Sequence, residues 1–486
     1  MIAIVVSRAD RASEHVGDRL LEIGEWEQTT DESVPDAAGG GTVHRRPGAE
    51  MRTFEDLHIH LEDPAAPFEA TGRDLDLLVF VSRHAGETGP LLTAHFTGNF
   101  GPAEYGGTEG GLARAAPAAQ KHLFHSFREH APPEYDVGIE CTHHGPSDVG
   151  VPSLFAELGS GDDQWDDPDG ARAVARSVLD LIEDHDRSGD VSPADVSPAD
   201  VSPTDAPSTD LRGDDGASRH VVGFGGGHYA PKFTRIVAET DWGVGHVGSD
   251  WQLTEMGSPE RNRDVVSRAF EASDADHAVI EGEKPDLEAT VEDLGHRVIS
   301  ETWVREVGDR PLRLVEALED AIASVEEGLR FGEVVPDGPP GNAERTGAVG
   351  DRPFIVHELP GDLLTRAQGI DHDAARAAIE EHAIAFETAE GGTRAAGALA
   401  VTDRDALDAL VESLAEILRE RFEEVDVRSD AVVARETGFD PELAADRGVP
   451  EGPKFGALAA GNPVEIDGRT IEPDAVSREH EERFPI

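Results

Sequence analysis

Leu75-Asp76-Leu77-Leu78-Val79-Phe80-Val81 is a nearly unbroken apolar run. A strand with one wet face alternates in polarity, whereas a strand covered on both faces does not, and such strands belong to parallel sheets flanked by helices. On its N-terminal side, Ile2–Val6 is a second short apolar run. It is followed by Ser13, read as an N-cap, and by Val16, Leu20, Leu21 and Ile23 on one helical face. On its C-terminal side, Thr93–Thr97, Val137–Cys141 and Leu154–Leu158 read as strands. Lys121–His130 and Ala171–Ile182 read as helices, the latter turning Val174, Val178 and Leu181 inward. This alternation predicts an α/β fold, a mostly parallel sheet with flanking helices. Residues 24–52, rich in Gly and Asp, read as a loop, and Leu57–Leu61 as a further strand.

The α/β pattern breaks at 185–219. Val191-Ser192-Pro193-Ala194-Asp195 recurs at 196–200 and nearly so at 201–205. A pentapeptide of this composition has nothing to bury, so the segment is expected to be a disordered insertion. The pattern resumes at Val221, with helices expected near Asp264–Ala272 and Leu312–Leu329. The expected organisation is an α/β domain over 1–330, a Gly/Pro-rich linker over 331–352, and a smaller α/β extension over 353–486. In the extension, Phe354–Glu358 and Ala398–Val401 read as strands and Ala374–Phe386 and Asp405–Phe422 as helices. Asp467-Gly468 is expected to turn a hairpin.

The 486 residues carry 42 basic and 99 acidic side chains, a formal charge of −57. Only four lysines occur, Lys121, Lys232, Lys284 and Lys454. A folded chain this acidic repels itself unless the charge is screened, and at about 1 M salt the Debye length falls to roughly 3 Å. The composition therefore fits a salt-loaded cytoplasm. Cys141 is the sole cysteine, which excludes an intrachain disulfide and a thiolate zinc cluster. No apolar run approaches the ~18 residues of a membrane span, and Ile2–Val6 is no basic leader. The expectation is a soluble cytoplasmic protein of undetermined oligomeric state.

Two histidine-bearing segments follow strand-like runs: Glu140-Cys141-Thr142-His143-His144-Gly145-Pro146 and Gly223-Phe224-Gly225-Gly226-Gly227-His228-Tyr229-Ala230-Pro231-Lys232. Strand ends in α/β folds collect functional side chains, and neutral imidazole is both a metal ligand and a proton carrier near neutral pH. His84 and His95 lie near the ends of two other strand-like runs. The candidate metal ligands are thus His84, His95, His143, His144 and His228, and the candidate catalytic groups His143, His144, His228 and Glu140. Glu140 reads either as a ligand or as the general base. Backbone N–H groups around Gly226 and Gly227 are candidates for a phosphate or an oxyanion. Lys232 is a candidate phosphate contact, Tyr229 either stacks on a base or belongs to the core, and Ser82 and Thr97 are candidate substrate-orienting hydroxyls. A dinucleotide fingerprint would need Gly where His228 stands, so no nucleotide cofactor is expected. Cys141 reads as a small buried residue rather than a nucleophile.

These residues carry a resemblance. Ile2–Asp10, Val79–His84, Leu92–Asn99, the Thr142–Pro146 turn, Pro152–Ser160 with Trp165, and Gly225–Phe233 with Gly245-His246 resemble, in order and spacing, the archaeal and plant-type D-aminoacyl-tRNA deacylases, a zinc-associated family. The resemblance covers residues 1 to about 300. It implies hydrolysis of the ester joining a D-amino acid to the tRNA terminal ribose, with D-aminoacyl-tRNA as partner and zinc, two ions per chain, as cofactor. The residues themselves leave two other readings open, a metal-dependent hydrolase of another small ester or amide and a non-catalytic tRNA-binding protein.

Overall fold

A computed structural model describes residues 1–190, 211, 216–336 and 353–486. The Val-Ser-Pro-Ala-Asp repeats at 191–205 and most of the expected linker, 337–352, lie outside the described residues. The chain divides into two compact units, Met1–Pro311 and Leu312–Ile486.

In the first unit an eight-stranded sheet comprises β1 (Ile2–Ser7), β2 (Glu27–Asp31), β3 (Ala38–Arg46), β4 (Ala49–Phe54), β5 (Leu77–Arg83), β6 (Leu91–His95), β7 (Asp136–Ile139) and β8 (Ser153–Gly159). Their order is β2-β3-β4-β1-β5-β8-β6-β7. The centre is parallel, β4, β1, β5 and β8 running together. β6 turns against β8 and carries β7 parallel beside it. A second, wholly parallel sheet is built from β9 (His220–Phe224), β10 (Gly243–Gly248), β11 (His277–Ile280) and β12 (Arg297–Val298), in the order β10-β9-β11-β12.

The apolar run of β5 is covered on both faces, as its composition requires. Val79 and Val81 pack with Val6 of β1 and with Val16, Leu20, Val174 and Val178 of the flanking helices Arg11–Ile23 and Pro168–Asp190. Leu78 and Phe80 pack on the opposite face with Ala3, Val5, Phe68 and Phe155. Burying a large aliphatic or aromatic side chain stabilises by about 1.5–3 kcal/mol, so this seam anchors the unit.

Several elements differ from the sequence reading. Residues 24–52 are not a loop but hold β2, β3 and most of β4, antiparallel from β2 to β4. Leu57–Leu61 is not a strand, because His58–His60 forms a short 3-10 turn. The N-cap of the first helix is Asp10, whose carboxylate accepts the N–H groups of Ala12 and Ser13; Ser13 lies inside the helix and accepts Ser7 N–H instead. The helix Pro168–Asp190 runs into the start of the expected insertion.

In the second unit, Leu329–Phe331, Ala385–Ala389, Arg394–Val401 and Ile355–Glu358 form an antiparallel sheet in that spatial order. Glu424–Val427, Ala431–Phe439 and Ser477–Pro485 form another. The helix Arg404–Arg419 buries Leu410, Leu414 and Leu418 against Phe386 and Leu399. The expected helix at 374–386 ends at His382, and Phe386 belongs to a strand. The helix beginning at Leu312 ends at Ala321. Asp467 and Gly468, both at positive φ, turn the hairpin Val464–Ile466/Arg469–Ile471.

Candidate active site

The turns after β7 and β9 are tied to each other by backbone and side-chain bonds. Cys141 N–H donates to the His228 carbonyl and Thr142 N–H to the Val247 carbonyl, each at 2.8 Å. His246 is fully buried below them. Its Nε2 donates to the Ala113 carbonyl at 2.7 Å, so its Nδ1 accepts the Thr142 hydroxyl at 2.9 Å. Burial pushes that imidazole down to about 4, and it stays neutral as a structural pin.

Adjacent side chains on a regular strand point apart. Here His144 adopts a left-handed φ of 47°, which bends the turn and brings both imidazoles to one place. His95, from the end of β6, lies with its ring centroid 4.1 Å from His143 and 4.9 Å from His144. His143 is in turn 4.7 Å from His228. His84 reaches the group from just beyond β5, and Gly159 permits this, since a Cβ there would sit 2.7 Å from the His84 ring. Sequence-separated histidines 84, 95, 143, 144 and 228 therefore share one cluster.

Two buried carboxylates hold it together. His228 Nε2 stands 2.6 Å from Glu140 Oε2, and His84 Nδ1 stands 3.3 Å from Glu140 Oε1 and 3.5 Å from Glu157 Oε2. His95 Nε2 is 3.5 Å from Glu157 Oε1. Burial opposes charge on every member, but the carboxylates prevail for His84. It is pushed up to about 10 by Glu140 and Glu157. For His228, burial is outweighed by its bonds to Cys141 and Glu140, again reaching about 10. His95 is raised against its burial by the Glu157 charge. Burial and the neighbouring His95 lower His143 well below its ordinary value and His144 to about 3. Despite burial, Glu140 and Glu157 are held ionised by their histidines. The centre is thus a buried negative site that attracts protons or a cation.

The donor set fits a metal ion. His95, His143 and His144 each give their Nδ1–H to a backbone carbonyl, of Phe96, Cys141 and Gly145, at 3.0, 2.9 and 2.8 Å. That leaves each Nε2 with a lone pair, the tautomer a ligating imidazole needs. His95 Nε2 and Glu140 Oε1 are buried, each with only one loose contact, to Glu157 at 3.5 Å and to His84 at 3.3 Å. Three sets of ligand atoms lie within 4.8 Å of one another: His95/His143/His144, Glu140/His143/His228 and His84/Glu140/Glu157. All are nitrogen and oxygen donors, suited to a divalent ion such as zinc.

The cluster opens on a cavity of about 400 Å³ lined by His84, His143, His144, His228 and Glu157, and also by His58, Arg83, Tyr105 and Trp251. The remaining expected site residues are placed variously. Ser82 lines the cavity, yet its hydroxyl donates to Asp10 at 3.2 Å. Tyr229 is exposed and approaches His84 Nε2 at 3.4 Å. Gly226 accepts Asp250 N–H through its carbonyl, and open space adjoins Gly227. Lys232 donates to the Ile280 carbonyl at 3.4 Å, and neither it nor buried Thr97 lines the cavity. Sequence reasoning missed Glu157 and passed over His58. A lone carboxylate inside the apolar run Leu154–Leu158 was the available signal for the first.

The model of a family described as D-aminoacyl-tRNA deacylase matches residues 71–299. A relative from Halorubrum lacusprofundi named D-aminoacyl-tRNA deacylase is 59% identical, covering 100% of this chain and 97% of its own. One of the same name from Natronomonas pharaonis is 49% identical over 100% of both chains. Another from Methanococcoides burtonii is 30% identical, over 98% of this chain and 94% of its own. A crystal structure of a conserved protein of unknown function superposes with a TM-score of 0.52 at 25% identity, covering 64% of this chain and 99% of that one.

Proposed function

The chain belongs to the D-aminoacyl-tRNA deacylase family, and from that premise we propose that it hydrolyses the ester between a D-amino acid and the terminal ribose of tRNA, releasing both. The observation that carries the hydrolytic reading is the His228–Glu140 pair at 2.6 Å beside four further imidazole and carboxylate groups at a cavity wall. Ester hydrolysis needs a group to take a proton from water and a group to return one to the leaving oxygen. Glu140 is ionised and buried, and it orients His228, whose side chain is one-third exposed at the cavity. His228 is the proton donor to the ribose oxygen in this reading. Tyr229 lies against His84, 3.4 Å from its Nε2, and edge-on to the His228 ring at 5.0 Å.

We propose zinc as the metal. The free Nε2 atoms of His95, His143 and His144 would hold one ion, and Glu140 and Glu157 with His84 a second. Zinc, when bound, acidifies water and polarises a carbonyl. The acidic, lysine-poor surface and the naming of halophilic relatives fit a cytoplasm rich in salt, where aminoacyl-tRNA is made. Among the described residues no helix is long and apolar enough to cross a membrane.

Incubation of the protein with matched D- and L-aminoacyl-tRNA tests the reading. Release of the D-amino acid with the L-ester spared supports it. Equal release of both, or none, contradicts it.

A further inference from the structure

Aromatic side chains are scarce on this surface, and those present are not scattered. Of the Phe, Trp and Tyr side chains among the described residues, only Tyr105, Tyr229 and Trp251 are exposed, at 68%, 39% and 46%. All three stand at one place. Tyr105 and Trp251 line the active-site cavity, and Tyr229 contacts His84. A chain that has kept nearly all its aromatic area inside has left three rings in water around the same opening.

Two of these rings are mounted on backbone fixed to the histidine turns. The Tyr105 carbonyl accepts Gly145 N–H at 3.0 Å, directly after His144, and Asn99 pins the same loop through the Gly106 and Thr108 carbonyls. Gly145 itself leaves no room for a side chain, since a Cβ would meet Gly107 N at 2.3 Å. Trp251 opens the helix Asp250–Met256. Asp250 N–H donates to the Gly226 carbonyl, and the Gln252 amide donates to the Thr142 carbonyl. The backbone that carries each ring is therefore fixed relative to His144 and His228, while the rings themselves stay largely in solvent.

Charge at the opening disfavours phosphate contact. Glu104 and Glu255, both exposed, flank the two rings. Among the described residues Arg83 is the one guanidinium lining the cavity, laid over Trp165 at 5.4 Å. In molar salt phosphate contacts lose most of their driving force, whereas stacking of a base on an aromatic face does not depend on charge.

We propose that Tyr105 and Trp251 are stacking platforms for the unpaired 3′-terminal nucleobases of tRNA, so that the ester is presented to the histidine cluster by base stacking rather than by phosphate recognition. The inference rests on the ester-hydrolysis reading above and adds the part of the substrate that the cavity mouth grips.

The test is steady-state hydrolysis of D-aminoacyl-tRNA by the full-length wild type and by Tyr105→Ala, Trp251→Ala, Tyr105→Phe and Trp251→Phe. Each alanine variant is expected to raise KM roughly five- to hundredfold, the range for loss of one stacked base. kcat should stay within about threefold, as expected for binding lost equally from ground and transition state. Each phenylalanine variant should restore KM to within about threefold. The alanine effect should persist from about 1 M to about 3 M KCl, where the Debye length is already a few ångströms. An unchanged KM in the alanine variants, a loss that phenylalanine does not rescue, or an effect that vanishes at the higher salt overturns the stacking proposal while wild-type turnover leaves the ester-hydrolysis reading standing. Absence of wild-type turnover overturns both.

Discussion

The Nε2 atom of His228 lies 2.6 Å from Oε2 of Glu140, joining a turn of the eight-stranded sheet to a turn of the parallel four-stranded one. The other oxygen of Glu140 faces His84 at 3.3 Å, so a single carboxylate gathers residues from β5, β7 and β9. Glu140→Gln keeps the shape and removes the charge. We expect metal content by elemental analysis to fall below half of wild type, and turnover to fall at least about a hundredfold. Full metal content with full turnover would show that the carboxylate serves packing alone.

A second buried charge cluster lies on β4, far from the histidines in sequence. Arg52 is fully buried. It reaches Glu50 at 2.6 Å, Asp31 and the Gly39 carbonyl at 2.9 Å, and its guanidinium lies 5.4 Å from the Phe68 ring centroid. Arg52→Met strands the buried Glu50 carboxylate with Arg45 as its remaining ion partner. Removing one partner of a buried pair costs about 3–5 kcal/mol, and replacing both recovers much of it. Chemical denaturation in molar KCl should show that loss for Arg52→Met and a smaller one for Arg52→Met with Glu50→Met. A double variant no better than the single would contradict the pairing.

His277 supplies a pH-dependent contribution. It stacks on Trp303 with ring centroids 5.3 Å apart, sits edge-on to Trp242, and has Nδ1 buried without a hydrogen-bond partner. Burial, with Arg297 adding to it, pushes the ring down to about 4 from 6.5. The unfolded chain therefore takes the proton first. The stability carried by the neutral ring is complete above pH 6.5 and is lost as pH falls through 4. The full shift corresponds to about 3 kcal/mol. His277→Phe cannot take the proton, so its melting temperature should fall less than that of wild type between pH 7 and about pH 4.5. Parallel curves for the two proteins would remove His277 as the cause.

Much of this architecture is legible in the sequence, and the reasons for the exceptions are physical. β5 announces itself because Leu77–Val81 is buried on both faces and carries no polar alternation. β2 does not, because Glu27-Gln28-Thr29-Thr30-Asp31 is an edge strand left largely in solvent, and its composition matches a loop. Phe386 reads as helical because apolar residues at the helix end and in the following strand run together in sequence. The histidines are conspicuous in Gly-rich turns, yet their convergence depends on β8 inserting between β5 and β6, which no local pattern encodes. Glu157 was hidden by lying within that inserted strand. Lys232 follows the Gly-rich histidine segment and so reads as a phosphate contact, but its ammonium donates to the Ile280 carbonyl and does not line the cavity.

The central claim is that the histidine–carboxylate cluster performs the chemistry and is not merely architecture. The measurement that tests it most directly is single-turnover hydrolysis of D-aminoacyl-tRNA by His228→Ala, set beside equilibrium binding of deacylated tRNA to the same variant. His228 is partly exposed and outside the apolar core, but its truncation removes a partner of buried Glu140, so the melting temperature of the variant in molar KCl is read alongside to confirm that it is folded. The account predicts a fall in the hydrolytic rate of at least about a hundredfold, with tRNA affinity within about threefold of wild type. A variant that hydrolyses at the wild-type rate, or whose whole defect lies in binding, would contradict it.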